Sequence, residues 1–390
     1  MNWFIKTASL LTLAAVMSVS CERETVDEGT GVGVKVPDLA VAFNKNVIRN
    51  NGETATLKAY YKGEDVTDEA YFFQFLPGKD VPQQMTTNVF SSTEVGEYHF
   101  QAAYLTSTSA MVSVNVVDRE IPEPLKDESA GNTSFVHRTF LNQHTGAGCG
   151  YCPGMTKLLK ETLVGDVEDM AVLAALRTYG GGEAGFEAVP NPSNGYYPFL
   201  HIDYEDSYDF SKGTAEGLAQ KIKDRVSDPA SVGISAHPVY YADSKQIIVR
   251  VTVKAAVKGE YNVGLWLMQD NWYKIQSDYL GIITGGVKDP YHYHDNCVRI
   301  ADSNYLGAHV GYPLGVLESG KTSDWVFVFD LKDAIENSKN KGGWWESFTE
   351  QCLDDLHFAA FVTTHEGSTY SVVNAIDFKY NEERPFEYIK

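Results

Sequence analysis

Two cysteines spaced three apart, Cys149 and Cys152, stand within Gly146-Ala147-Gly148-Cys149-Gly150-Tyr151-Cys152-Pro153-Gly154. Such a pair can exchange disulfides, supply half of a metal site, or form a stable cross-link. Exchange needs a thiolate attacker and a nearby thiol to resolve the mixed disulfide. At a strand-to-helix junction, the unpaired amides and dipole of the helix N-terminus favour the thiolate and lower its pKa from ~8.5 into the ~3.5–7.5 range. The flanking residues fit that setting. Ser134–Leu141 reads as a strand, and Met155, Leu158, Leu159 and Leu163 fall on one face of a following helix. Pro153 lies in that helix's first turn, where a missing N–H costs little. Gly146 and Gly148 are expected to turn the chain sharply and leave Cys149 accessible.

No metal is expected, because the pair lacks a matching second pair: Cys297 and Cys352 are far apart in sequence. His292 and His294 near Cys297 read as hydrogen-bonded turn histidines rather than ligands. His144, five residues before Cys149, reads as a strand-end residue, with assistance to proton transfer as the alternative. A disulfide that never turns over is an open alternative to exchange.

The elements around the pair resemble the thioredoxin fold. That superfamily carries a cis-proline before a later strand, packed beside the cysteines, and Tyr197-Pro198-Phe199-Leu200 stands at the matching point. The resemblance makes Pro198 the residue that orients a substrate chain. Asp169–Leu176 reads as a buried strand and Pro198–Asp203 as another. Leu218, Ile222 and Val226 mark a helix over about 214–226. Two departures stand out. Tyr179–Tyr197 is a glycine- and proline-rich loop where thioredoxin has a helix, which implies a reshaped groove over the disulfide. Gly148 replaces the tryptophan that usually precedes the first cysteine, which leaves the redox potential open.

The chain has 390 residues, 43% hydrophobic and 22% charged, enough for several apolar cores. Its formal net charge of −20 argues against nucleic acid as a partner. Lys6, an apolar stretch from Ala8 to Val19, and Ser18-Val19-Ser20 before Cys21 describe an export signal, too short for a comfortable membrane span. The pattern resembles a bacterial lipoprotein signal with Cys21 as the lipidated first residue, anchoring the chain without spanning the membrane. If Cys21 carries lipid, four cysteines remain in an oxidising compartment. The close pair leaves Cys297 and Cys352 as a candidate second disulfide, which sequence alone leaves open.

The expected fold class is multidomain α+β. A signal peptide (1–20) and a flexible tether (21–34) precede an immunoglobulin-like β-sandwich (35–118), expected from short alternating strands such as Thr54–Tyr60 and Met111–Val116. A stiff charged linker (119–131) leads to a thioredoxin-like α/β domain (132–229). A second β-sandwich (230–390) completes the chain, and in it Ile247, Val249, Val251 and Val253 alternate with Ile248, Arg250, Thr252 and Lys254.

The lipoprotein start, Thr145-Gly146-Ala147-Gly148-Cys149-Gly150-Tyr151-Cys152-Pro153, the later Tyr197-Pro198 and the long β tail together resemble the outer-membrane protein 28-related lipoproteins of Bacteroidetes, over roughly residues 130–380. In the tail, His292-Tyr293-His294-Asp295-Asn296-Cys297-Val298-Arg299 and Val373-Asn374-Ala375 carry the likeness, although Val298 and Arg299 are adjacent where the family spaces them. The resemblance implies an outer-membrane lipoprotein, on the periplasmic face or the cell surface, with an adhesin or receptor role.

These residues support two readings. One is a membrane-anchored thiol–disulfide oxidoreductase, without cofactor, acting on protein thiols or disulfides. Cys149 would be the nucleophile, Cys152 the resolving thiol and Pro198 the orienting residue. The other is a surface adhesin or receptor whose cysteines stay oxidised.

Overall fold

The computed structural model describes residues 32–34, 37–76, 81–179, 189, 192–193, 195–332 and 350–390. The expected signal peptide and lipid acceptor Cys21 lie outside the described residues, as does most of the loop between Tyr179 and Tyr197. The described residues form mainly β-sheet, in several sheets, with few helices.

The first module contains β1 (Leu39–Phe43), β2 (Val47–Arg49), β3 (Ala55–Tyr61), β4 (Tyr71–Phe75), β5 (Gly96–Tyr104) and β6 (Val112–Val117). β5 pairs antiparallel with β4 and β6, and β2 runs parallel to β6. β1 and β3 pair in a separate sheet. Alternate residues of both sheets, among them Leu39, Leu57, Ala59, Phe72, Phe100 and Val114, close on one apolar core.

The rest of the described residues are organised by a ten-stranded sheet. Its elements begin with β7 (Thr139–Thr145), α1 (Cys152–Thr162), β8 (Ala171–Arg177), β9 (Phe199–Ile202), β10 (Asp206–Tyr208) and α2 (Ala215–Arg225). Then come β11 (Val232–Tyr241), β12 (Gln246–Ala255), β13 (Gly259–Gln269), β14 (Cys297–Asp302), β15 (Tyr312–Leu317), β16 (Thr322–Asp330), β17 (Leu356–Glu366) and β18 (Thr369–Lys379). The large sheet runs β18-β17-β13-β14-β8-β7-β9-β10, with Val32–Gly33 on the outer edge of β18 and β15 also paired to β13. β7 and β8 are parallel, from Thr139 opposite Ala171 to Thr145 opposite Arg177, and β9 is antiparallel to β7.

The α/β unit expected over 132–229 is not set apart from the C-terminal strands. A parallel step at Ala175 and Cys297 joins β8 to β14, so strands from both sides of residue 230 share one sheet. Helices α1 and α2 cover β7–β9 through Leu141, Met155, Leu159, Leu200, Leu218 and Ile222. The separate sheet β11-β12-β16 covers β13, β17 and β18 through residues such as Val251, Leu265, Leu267, Phe358 and Ile376.

The alternation along β12 is real, yet its outward residues Ile248, Thr252 and Lys254 are buried too. Ile248 meets Val47 and Val117 of the first module. Lys254, 1% exposed, has its Nζ 2.7 Å from Asp127, 2.7 and 3.0 Å from the carbonyls of Ala130 and Asn132, and 3.2 Å from Tyr388 Oη, so its three N–H groups are all engaged. The expected linker is therefore not a free spacer. It lies along β11 and β12, with its carbonyls at Glu120, Pro122 and Glu123 accepting from Tyr241, Arg250 and His237. Asn46 fixes the first module on the edge of β16. Its Nδ2 donates to Val326 O at 2.6 Å and its Oδ1 accepts from Val326 N at 3.1 Å. Asn374, 2% exposed, closes the body: it donates to the carbonyls of Val136 and Val232 and accepts from Arg138 N.

Candidate functional site

Strand β7 ends at Thr145 and the chain turns through Gly146–Tyr151 into α1. Cys149 N donates to Gly146 O at 3.1 Å, and Cys152 N donates to Cys149 O at 3.2 Å. The helix begins at Cys152, so the second cysteine occupies its N-terminus and the first lies in the turn before it. Pro153 stands in the first helical turn as expected. Cys149 and Cys152 are joined in a disulfide with 5.4 Å between their Cα atoms.

Contrary to expectation, Cys149 is not accessible: it is 3% exposed, and Cys152 1%. The glycines serve close packing instead of opening the site. A Cβ at Gly146 would come within 2.7 Å of Tyr179 Cβ, and the Tyr179 ring lies against Gly148. Tyr179 in turn meets Tyr197 edge-on at 5.3 Å, and Tyr197 shares a 2.8 Å hydrogen bond with Thr178. The Tyr197–Pro198 peptide is cis, and Phe199 directly after it pairs with His144 of β7.

On another side a strap, Gln276–Leu280, lies against the turn. Ser277 N donates to Ala147 O at 2.7 Å and Tyr279 N to Gly150 O at 2.8 Å. The Gln276 amide is buried, and its Nε2 lies 2.9–3.2 Å from the carbonyls of Gly146, Ala147 and Cys149 and 3.0 Å from the strap's own Ser277 O, so its two N–H groups are shared among them. Gln276 is itself held by its backbone N–H, which donates to His292 Nδ1 at 3.0 Å. The Tyr279 ring occupies the space a Cβ at Gly150 would need, at 2.4 Å, and meets the Tyr151 ring edge-on. Leu280 and Phe210 do the same at Gly154.

The turn histidines are engaged as read from sequence. His292 accepts from Gln276, and His294 Nε2 lies 3.0 Å from Lys274 O. Burial, with Arg177 second, pushes the His294 pKa down to about 3. His144 is 1% exposed and lies on the sheet face opposite α1, since Leu141 points to the helices and alternate residues point away. Burial, with nearby His201 second, pushes its pKa down to about 3. A group so weakly basic and on the wrong face is not poised to relay protons to the disulfide at neutral pH.

Cys297 and Cys352 do not form the candidate second disulfide; both are thiols. Cys297 is fully buried on β14, its Sγ 3.6 Å from Asp295 O, and burial pushes its thiol up to about 12. No group of three or more His, Cys, Asp or Glu side chains able to hold a metal ion occurs among the described residues. A groove of about 350 Å³ runs between α1 and Tyr293–Asn296, lined by Gln143, Thr156, Lys160, Arg177 and His294 among others.

Sequence reasoning missed Gln276, Tyr279 and Tyr179. The available signal was the glycine density of 146–154, which marks close approach by other side chains as well as turning.

No family profile matches the chain, and no curated protein matches it. Among solved structures, HBP35 of Porphyromonas gingivalis is similar at 17% sequence identity and a TM-score of 0.48, over 65% of this chain and 78% of that one.

Proposed function

We propose that this chain is a lipid-anchored envelope protein whose β7–α1–β8–β9–α2 edge is a thioredoxin-like unit, exchanging disulfides through Cys149 and Cys152. One observation carries the reading. A disulfide opens a helix directly after a strand that has a parallel neighbour on one side and, on the other, an antiparallel neighbour introduced by Pro198. In the reducing direction a thiolate of a partner protein attacks Cys149 Sγ. The new S–S bond forms as the Cys149–Cys152 bond breaks, and the electron pair leaves on Cys152, whose thiolate the amides of the α1 N-terminus favour. The partner's second thiol then displaces Cys149. The partner leaves as a disulfide, and two electrons and two protons stay on Cys149 and Cys152.

Supporting the anchor are the Ser18-Val19-Ser20-Cys21 pattern and the likeness of the motifs to the outer-membrane protein 28-related lipoproteins. Under this reading the chain sits at the outer membrane, on its periplasmic face or the cell surface, with lipid on Cys21.

A second reading, a surface adhesin or receptor with a structural disulfide, is favoured by the burial of both sulfurs. The reduction potential of the pair in the mature chain, by thiol labelling in defined redox buffers, decides between them. Exchange predicts a value between about −120 and −270 mV; a value below about −300 mV marks a structural cross-link.

A further inference from the structure

We propose that Gln276–Leu280 is a latch on the disulfide, with Gln276 as the residue that positions the Cys149 turn and holds it closed until the strap lifts. The inference rests on the exchange reading for its purpose, but its test does not.

Attack on a disulfide needs a line of approach to one sulfur, and neither cysteine offers one: they are 3% and 1% exposed. Something beside the turn must therefore move. The strap is suited to moving. It sits inside a loop closed at its base by a short pairing, Trp272 with His294 and Tyr273 with Tyr293, so it can lift without parting the large sheet. It also buries little apolar surface. Ile275, Tyr279 and Leu280 are 61%, 72% and 44% exposed, and the group that faces inward is the Gln276 amide. Its hold on the turn is polar: two backbone N–H groups and one side-chain amide spread over the carbonyls of Gly146, Ala147, Cys149 and Gly150. Segments held by few apolar contacts open locally, well below the free energy of global unfolding. The carbonyls it holds belong to Cys149 and the residues on either side of it, so lifting the strap releases the turn that carries the reacting sulfur.

A buried disulfide reacts through its open fraction, so its rate of reduction is the product of the opening equilibrium and the rate of the exposed bond. Weakening the latch raises the first factor alone. The mature chain and its Gln276→Ala variant are reduced by dithiothreitol without denaturant, with thiol release followed in time and urea unfolding measured in parallel. Reduction is expected to be about tenfold faster in Gln276→Ala, with faster hydrogen exchange at the amides of Ser277 and Tyr279. Tyr279→Ala, which leaves the Gln276 amide in place, provides a milder test at about threefold if the first variant folds poorly. Unchanged rates in a folded variant overturn the latch. So does an acceleration no larger than the loss of global stability, which would place the opening in whole-chain unfolding. A potential below about −300 mV would defeat the exchange reading while leaving these rates, and the latch, standing.

Discussion

At one end of the ten-stranded sheet, β13, β17 and β18 lie under β11, β12 and β16. Strands of nine to eleven residues there enclose an almost purely apolar core. At the other end, β7, β8 and β9 carry Asn142, Gln143, His144, Thr145, Arg177 and His201 at 4% exposure or less, and the chain leaves the sheet through a turn held by carbonyl hydrogen bonds. Both ends bury apolar cores, but only the disulfide end adds a turn that is held by polar contacts to its carbonyls. Apolar burial is non-directional and tolerates no opening. Polar contacts to backbone carbonyls cost little net free energy to break one at a time. The architecture therefore gives stiffness to one end and leaves local opening to the other.

The comparison breaks most sharply at Phe358. Its ring is fully buried against Phe329 and Phe378, at 5.1 and 5.5 Å between centroids. Phe358→Ala is expected to cost ~3–5 kcal/mol of global stability by urea unfolding. The reduction rate of the disulfide in native buffer should change far less than that loss, because the latch opens without the core. A reduction rate that rises in step with lost stability would join the two ends into one cooperative unit.

The disulfide itself should matter less to stability than such a ring. It closes a loop of only four residues, Cys149 to Cys152. The loop-closure model gives ~2 kcal/mol for so short a loop. The double substitution Cys149→Ser, Cys152→Ser should therefore lower the urea midpoint modestly and leave a cooperative transition. A loss as large as that of Phe358→Ala would make the cross-link a main support of the fold and favour the structural reading.

The sequence is most informative where periodicity and burial coincide. Val249, Val251 and Val253 announce the inward face of β12, and Leu158 and Leu159 the buried face of α1. It is silent on lateral order. Nothing local in Val172–Leu176 or Val298–Ile300 says that β8 and β14 are neighbours, so two domains are expected where one sheet runs through. The disulfide is legible because its spacing is its chemistry. The strap is not: Lys274-Ile275-Gln276-Ser277-Asp278 has no period, and a glutamine that serves three carbonyls looks like any loop glutamine. Cys297 and Cys352 mislead for the converse reason, since two leftover cysteines suggest a bridge although one lies on β14 and the other in a 3₁₀ turn over Glu350–Asp355.

Acid offers the finest test of the difference, because the disulfide end buries His144 and His201 on the neighbouring strands β7 and β9. His144 titrates near ~6.5 in an unfolded chain, whereas in the folded one burial, with His201 second, holds it down to about 3. Between those values the unfolded chain binds a proton that the folded chain refuses. The contribution is complete above the unfolded pKa and is lost as pH falls below it. At pH about 5.5 the loss is on the order of 1 kcal/mol. His294, also held down to about 3, adds a loss in the same direction. His144→Gln keeps a neutral polar side chain in place and should flatten part of the fall in urea midpoint between about pH 7 and 5.5. An unchanged slope would mean that His144 accepts its proton without cost, and that this face of the sheet is wetter and looser than its burial implies.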